Sequence, residues 1–147
     1  MPTYSAQDLV AQAQKARDTC QPLLAIRFLE RAFQQEPHNA QIAETLGLLH
    51  LDTLSSQELT DTQHAANEAR RWFLAAVAMA PNHGHAKYLH LGQLSFGTDA
   101  IQFYERGLQM LTTTTQPPED TLECRRQFSN ALCAMSDIYM TDCWFYC

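Results

Sequence analysis

Basic residues are scarce in this 147-residue chain: Lys and Arg number 10 against 16 Asp and Glu, for a net charge of −6. Nonspecific nucleic-acid binding needs cations to neutralise phosphates, so this balance argues against it and favours a basic partner over an acidic one. Long hydrophobic runs are missing too. The longest, Trp72 to Ala80, is too short to span a bilayer. Glycine (5) and proline (6) are few and fall where helices should begin or end, and few segments alternate with period two. Sheet is therefore not expected, and the composition reads all-α. Nothing at the N-terminus reads as a signal peptide, and the cysteines (Cys20, Cys124, Cys133, Cys143 and Cys147) are odd in number. Together these favour reduced thiols in the cytoplasm and nucleus. No Gly-rich phosphate loop, nucleophile elbow or acid–base carboxylate pair is present, so neither an enzyme nor a cofactor is expected.

What the chain does contain is a recurring pattern. In PLLAIRFLERAFQQEP (Pro22 to Pro37), helical spacing puts Ala25, Leu29 and Ala32 on one face, and Pro37 ends the helix. The register returns 44 residues later at Ala69, Phe73, Ala76 and Pro81. It returns again 31 residues on at Ala100, Tyr104 and Gly107, with Thr112 in place of the proline. A small–large–small face lies against a neighbouring helix, and three recurrences at such intervals mark a repeat array.

In chain order, Ser5 is placed to cap a first helix running to about Arg17, with Asp8 in its first turn and Leu9, Ala13 and Ala16 on one face. Cys20 to Pro22 is a turn, and Pro22 opens a second helix to about Gln35. Asn39 caps a third helix over 40–52, in which Ala43, Leu46, Gly47 and His50 share a side; Gly47 is explained by close approach of another helix. Asp52 to Thr62 reads as a loop, and Asp61 or Thr62 caps a fourth helix over 63–80. Pro81 to His85 is a turn before a fifth helix over 85–96, where Tyr88, Leu91, Gly92 and Ser95 repeat the offsets of the third. Gly97 breaks that helix and Thr98 caps a sixth over 99–111. Thr112 to Pro118 reads as a linker, and a seventh helix runs from about Pro118 to Thr141 with Leu132, Met135, Ser136 and Tyr139 at the same offsets.

This pairing resembles the tetratricopeptide repeat, a helix–turn–helix unit of about 34 residues. The resemblance implies an all-α superhelix in one domain, residues 1–147, of about three and a half repeats: about 5–37, 40–81, 85–112 and an incomplete 118–142. Two stretches, HAKYLHLGQLSFGTDAIQFYERGLQML (His85 to Leu111) and ECRRQFSNALCAMSDIYMTD (Glu123 to Asp142), are similar to the fungal dedicated assembly chaperones of large-subunit ribosomal protein four. That likeness implies a protein that holds the basic loop of a newly made ribosomal protein and escorts it to the nucleus. The alternative is a general repeat scaffold in another complex. The apolar end CWFYC departs from the chaperone pattern, and its exposure would favour self-association.

Repeat proteins of this kind bind along the inner faces of their first helices. By register, that resemblance lines the concave face with Gln7, Val10, Gln14, Arg17 and Asp18, then Gln41, Glu44, Leu48, Leu51 and Asp52, then Ala86, Leu89, Gln93 and Phe96, then Asn130, Cys133, Asp137, Met140 and Thr141. Gln14, Asp18, Glu44, Leu48, Asp52, Leu89, Gln93, Phe96, Asn130 and Asp137 are the principal candidates for partner contact. Arg17 is the one basic residue in the set; carboxylates, amides and apolar groups suit a basic extended segment. Domains that grip a C-terminal carboxylate need Lys and Arg here, so that specificity is not expected. Arg70-Arg71 and Arg125-Arg126 read as solvated helix faces, and His83, His85 and His90 lack a third ligand at rigid spacing, so no metal is expected.

Overall fold

The computed structural model describes residues 3–55, 62–114 and 122–141. The described residues form seven helices: α1 (Ala6–Asp18), α2 (Pro22–Gln35), α3 (Ala40–Ser55), α4 (Thr62–Met79), α5 (Ala86–Leu94), α6 (Gly97–Thr114) and α7 (Leu122–Thr141). They fall into two compact units, Met1–Pro81 and Asn82–Cys147.

In the first unit α1 starts as the sequence requires. The Ser5 hydroxyl accepts the Asp8 N–H at 3.2 Å, and the Asp8 carboxylate accepts the Ser5 N–H at 3.0 Å, a reciprocal capping box. The Ser5 hydroxyl also donates to the Asp8 carboxylate at 2.7 Å, and this bond, with that from the Ser5 N–H, holds the Asp8 carboxyl below its ordinary pKa. After α1 the chain reverses through Cys20, whose φ of 57° is left-handed, and the Gln21 N–H bonds the Ala16 carbonyl at 2.9 Å. Pro22 then stands at the first position of α2, where its missing N–H costs nothing. The Asn39 side-chain oxygen caps α3 by accepting the Gln41 and Ile42 N–H groups at 3.1 and 3.3 Å.

Each helix packs on the next in the chain: α1 on α2, α2 on α3, α3 on α4. One core results, containing Leu9, Ala13, Ala25, Leu29, Ala43, Leu46 and Trp72. The Phe33 and Trp72 rings meet edge to face at 5.0 Å and tie the two hairpins together. The small–large–small register works as a key in a notch. A Cβ placed on Gly47 would lie 2.9 Å from the Phe73 ring, so only glycine lets that ring sit down on α3. Fully burying such a ring stabilises by about 1.5–3 kcal/mol.

The second unit repeats this with α5, α6 and α7, consecutive helices again packing in order. Gly92 takes the Tyr104 ring as Gly47 takes Phe73, with a Cβ position 2.8 Å from it. Lys87 is buried, against the expectation for a lysine on a helix. Its ammonium donates to the His83 carbonyl and lies 5.9 Å from the centre of the Tyr88 ring.

Several boundaries differ from expectation. The third helix continues through Ser55, three residues past its expected end at Asp52, because Thr53 is buried and its hydroxyl donates to the His50 carbonyl at 2.7 Å. The fifth ends at Leu94, where Ser95 turns extended. The sixth begins at Gly97 itself, with φ of 57°, and continues to Thr114. Thr112 and Thr113, expected in a linker, stay helical with their hydroxyls each donating to the Gln109 carbonyl at 2.9 Å. The cap at Asp61, the start of the last helix at Pro118 and the apolar end from Asp142 lie outside the described residues.

Candidate functional site

Each unit has a cleft on the side of its first helices. In the first unit α1 and α3 form the walls of a cleft of about 420 Å³, with Leu29 of α2 among the lining residues. From α1 come Gln7, Val10, Gln14 and Arg17; from α3 come Gln41, Ile42, Thr45 and Leu49; Glu36 and Asn39 close one end. Spacing of three and four along α1 aligns its four residues, and the Asn39 cap fixes where α3 begins.

The Glu36 carboxylate accepts the Asn39 amide at 2.8 Å, and the cation lining this cleft is already matched. Arg17 pairs with Asp52 at 3.7 Å, both partly exposed, so the pair adds little to stability. The Gln14 amide donates to Asp18 at 2.9 Å. What remains is mostly primary amide over an apolar floor. Among the expected contact residues of this unit, Gln14 lines the cleft and Asp18 and Asp52 stand beside it through those bonds. Glu44 and Leu48 are half-buried and do not line it. On the α3 wall the expected Gln41 is joined by Thr45 and Leu49, each one residue round from the expected Glu44 and Leu48. One residue is about 100° about a helix axis, and the seating of Phe73 on Gly47 sets that rotation.

The second unit holds a cleft of about 360 Å³ between α5 and α7, lined by Ala86, Leu89, His90 and Gln93 of α5 and by Glu123, Arg126, Gln127 and Asn130 of α7, with Tyr104 of α6 behind. Burial raises the Tyr104 phenol above its ordinary pKa. Arg126 and Glu123 pair at 2.8 Å, Gln127 donates to Glu123 at 3.1 Å, and His85 shares a hydrogen bond with Gln127 at 2.8 Å. Gln93 and Asn130 line this cleft as expected. Leu89 lines the cleft too, as part of its floor: it is 8 % exposed and lies where a Gly107 side chain would otherwise be, its Cδ2 2.7 Å from that Cβ position. Phe96, 85 % exposed in the turn after α5, and Asp137, exposed on α7, do not line it.

Glu36, Thr45, His90, Glu123, Arg126 and Gln127 were missed by the register. Gln127 and Asn130 are three apart on one helix, so the α7 wall was open to reading from its amides; the choice of the helix's first half was not. Among the described residues no group of three His, Cys, Asp or Glu is placed to hold a metal, and no helix is long and apolar enough to cross a membrane.

No family model and no curated protein matches this chain. Among solved structures it is similar to the first tetratricopeptide repeat domain of Spaghetti (RPAP3), determined bound to the HSP90 peptide SRMEEVD. The match has a TM-score of 0.61 at 14 % identity, over 90 % of this chain and 96 % of that one. The likeness is one of fold. The chain has the all-α fold of a tetratricopeptide-repeat solenoid, with α1–α2, α3–α4 and α5–α6 as helix–turn–helix pairs followed by α7.

Proposed function

We propose that the chain is a non-catalytic peptide-binding adaptor that holds an extended segment of another protein against its first helices. The observation that carries this reading is the cleft between α1 and α3, with its apolar floor and its wall amides. A primary amide donates and accepts side by side, which suits a main chain that has no sheet partner. The neighbour in fold was determined bound to a peptide of HSP90.

The finer reading is a chaperone for a basic segment of a newly made large-subunit ribosomal protein, acting between cytoplasm and nucleus. It is supported by the net charge of −6, by the carboxylates Asp18 and Asp52 beside the first cleft, and by the two stretches similar to ribosomal-protein assembly chaperones. The neighbour's peptide carries two Glu and a terminal Asp, and it is a poor guide to the ligand here. The cations lining the clefts, Arg17 and Arg126, are each engaged by a carboxylate of this chain. A general scaffold role is the second reading, favoured by how few charges in the clefts are left to steer a partner.

The test is a pull-down of the full chain with the basic loop of large-subunit ribosomal protein four, at low and high salt. Retention at low salt that fades as ionic strength rises supports the chaperone. Absence of retention at low salt removes that partner and leaves the scaffold.

A further inference from the structure

The same three-residue pattern recurs on the first helix of every later unit, and on one of them it is uncovered. In α3 it is Ala43, Gly47 and His50; in α5 it is Tyr88, Gly92 and Ser95; in α7 it is Leu132, Ser136 and Tyr139. The first two lie beneath the second helix of their own hairpin. Phe73 of α4 sits on Gly47, and Tyr104 of α6 sits on Gly92. Tyr88 and Ser95 are accordingly 5 % and 7 % exposed. The matching α7 residues Leu132 and Tyr139 are 45 % and 51 % exposed, and Ser136 between them is exposed as well. The adjoining side of α7 is spent, since Ala131 is buried against the core shared with α6 and Ala134, Met135 and Ile138 pack there. The open face is thus continuous with an interface the chain already makes.

We propose that the Leu132–Ser136–Tyr139 face is a docking site for an amphipathic helix of a partner protein carrying a small–aromatic–small pattern at i, i+4 and i+7. The chemistry of the occupant is read from the two covered copies. Ala69–Phe73–Ala76 covers α3, and Ala100–Tyr104–Gly107 covers α5. In each, an aromatic ring drops onto the smallest residue of the lower helix, and the flanking small residues let the two backbones approach. Ser136 is the corresponding notch on α7, with Leu132 and Tyr139 as its rims. This site is separate from both clefts, and binding here requires no charge on the partner.

The probe is a fluorescein-labelled synthetic peptide of the α4 sequence, Thr62–Met79, titrated into the full chain under reducing conditions. Saturable binding is expected, and the same peptide with Phe73→Ala should bind about tenfold more weakly or worse, as removal of an aromatic anchor does. On the protein, Ser136→Leu fills the notch and should abolish binding; Ser136 is exposed, so the circular dichroism spectrum and melting temperature should stay as in wild type. No binding of the peptide, equal binding of its Phe73→Ala form, or undiminished binding by the Ser136→Leu protein overturns the proposal. The last outcome would mean that the peptide exchanges with α4 in its own unit. Sedimentation of the unliganded chain as a dimer that Ser136→Leu converts to monomer would also overturn it, by assigning the face to a second copy.

Discussion

Gly47 and Gly92 show how little separates a seated ring from a clash: one methyl group on either would stand under 3 Å from an aromatic carbon. The partner helices are equally tight. Ala69 and Ala76 flank Phe73 with no exposed surface. Ala69→Leu should therefore overpack the crossing of α3 and α4 and lower stability by about 1–3 kcal/mol. A thermal melt superimposing on wild type would show that α4 is rotated from the position described. His50, on the same side of α3, makes a second expectation. Burial pushes its imidazole below the ordinary value; Glu68 opposes that, while His64 and Arg71 add to it. The folded chain then holds fewer protons than the unfolded chain at pH values between the lowered and the ordinary histidine pKa, so stability falls as pH drops through that window. Melting temperatures of wild type and His50→Gln measured from pH 7.5 downward should diverge in slope there, with the variant flatter. Parallel slopes would show that His50 titrates as it does in the unfolded chain.

At the scale of the helix, the ends carry the most specific chemistry. Asn39 alone supplies the acceptor for two N–H groups at the start of α3. Asn39→Ala should cost about 1 kcal/mol, seen in chemical denaturation as a lower midpoint at unchanged slope; an unmoved midpoint would mean that packing against α2 alone sets the start of α3. The caps at Ser5 and Asn39, the proline opening α2 and the notch glycines were all legible, because each is a local rule that a few adjacent residues satisfy or do not. The ends of α3 and α6 were not. Thr53, Thr112 and Thr113 look like linker residues by propensity, but a threonine hydroxyl that bonds back to the preceding turn keeps a helix going once one side of it is packed. The buried ammonium of Lys87 was unreadable for a related reason. Its acceptor is the His83 carbonyl, a main-chain group in a turn that no side-chain pattern reveals.

For the molecule as a whole, the repeat register predicted the fold well and the clefts only in part. Gln14, Leu89, Gln93 and Asn130 line them; Glu44, Leu48, Phe96 and Asp137 stand off them. Register fixes which helices face a ligand but leaves the rotation of each helix open, and that rotation is settled by contacts as specific as a ring on a glycine. Charge around the clefts remains testable. Glu44→Lys combined with Asp137→Lys changes one residue in each unit and should weaken a basic segment severalfold at low salt while leaving helix content, by circular dichroism, as in wild type. Affinity equal to wild type would show that these two carboxylates, which stand off the clefts, take no part in recognition.

The order of packing has a consequence for how the chain is made. The most extensive helix contacts are those between helices consecutive in sequence, in both units. Each of these closes a loop no longer than a single connection, so the entropy lost in bringing the partners together is small, and folding should be fast for a protein of this length. It also means that α1 and α2 hold everything their mutual contact needs once Gln35 has emerged from the ribosome. Structure can then accrue one helix at a time behind the growing end, with each new helix meeting a surface that its predecessor has just completed.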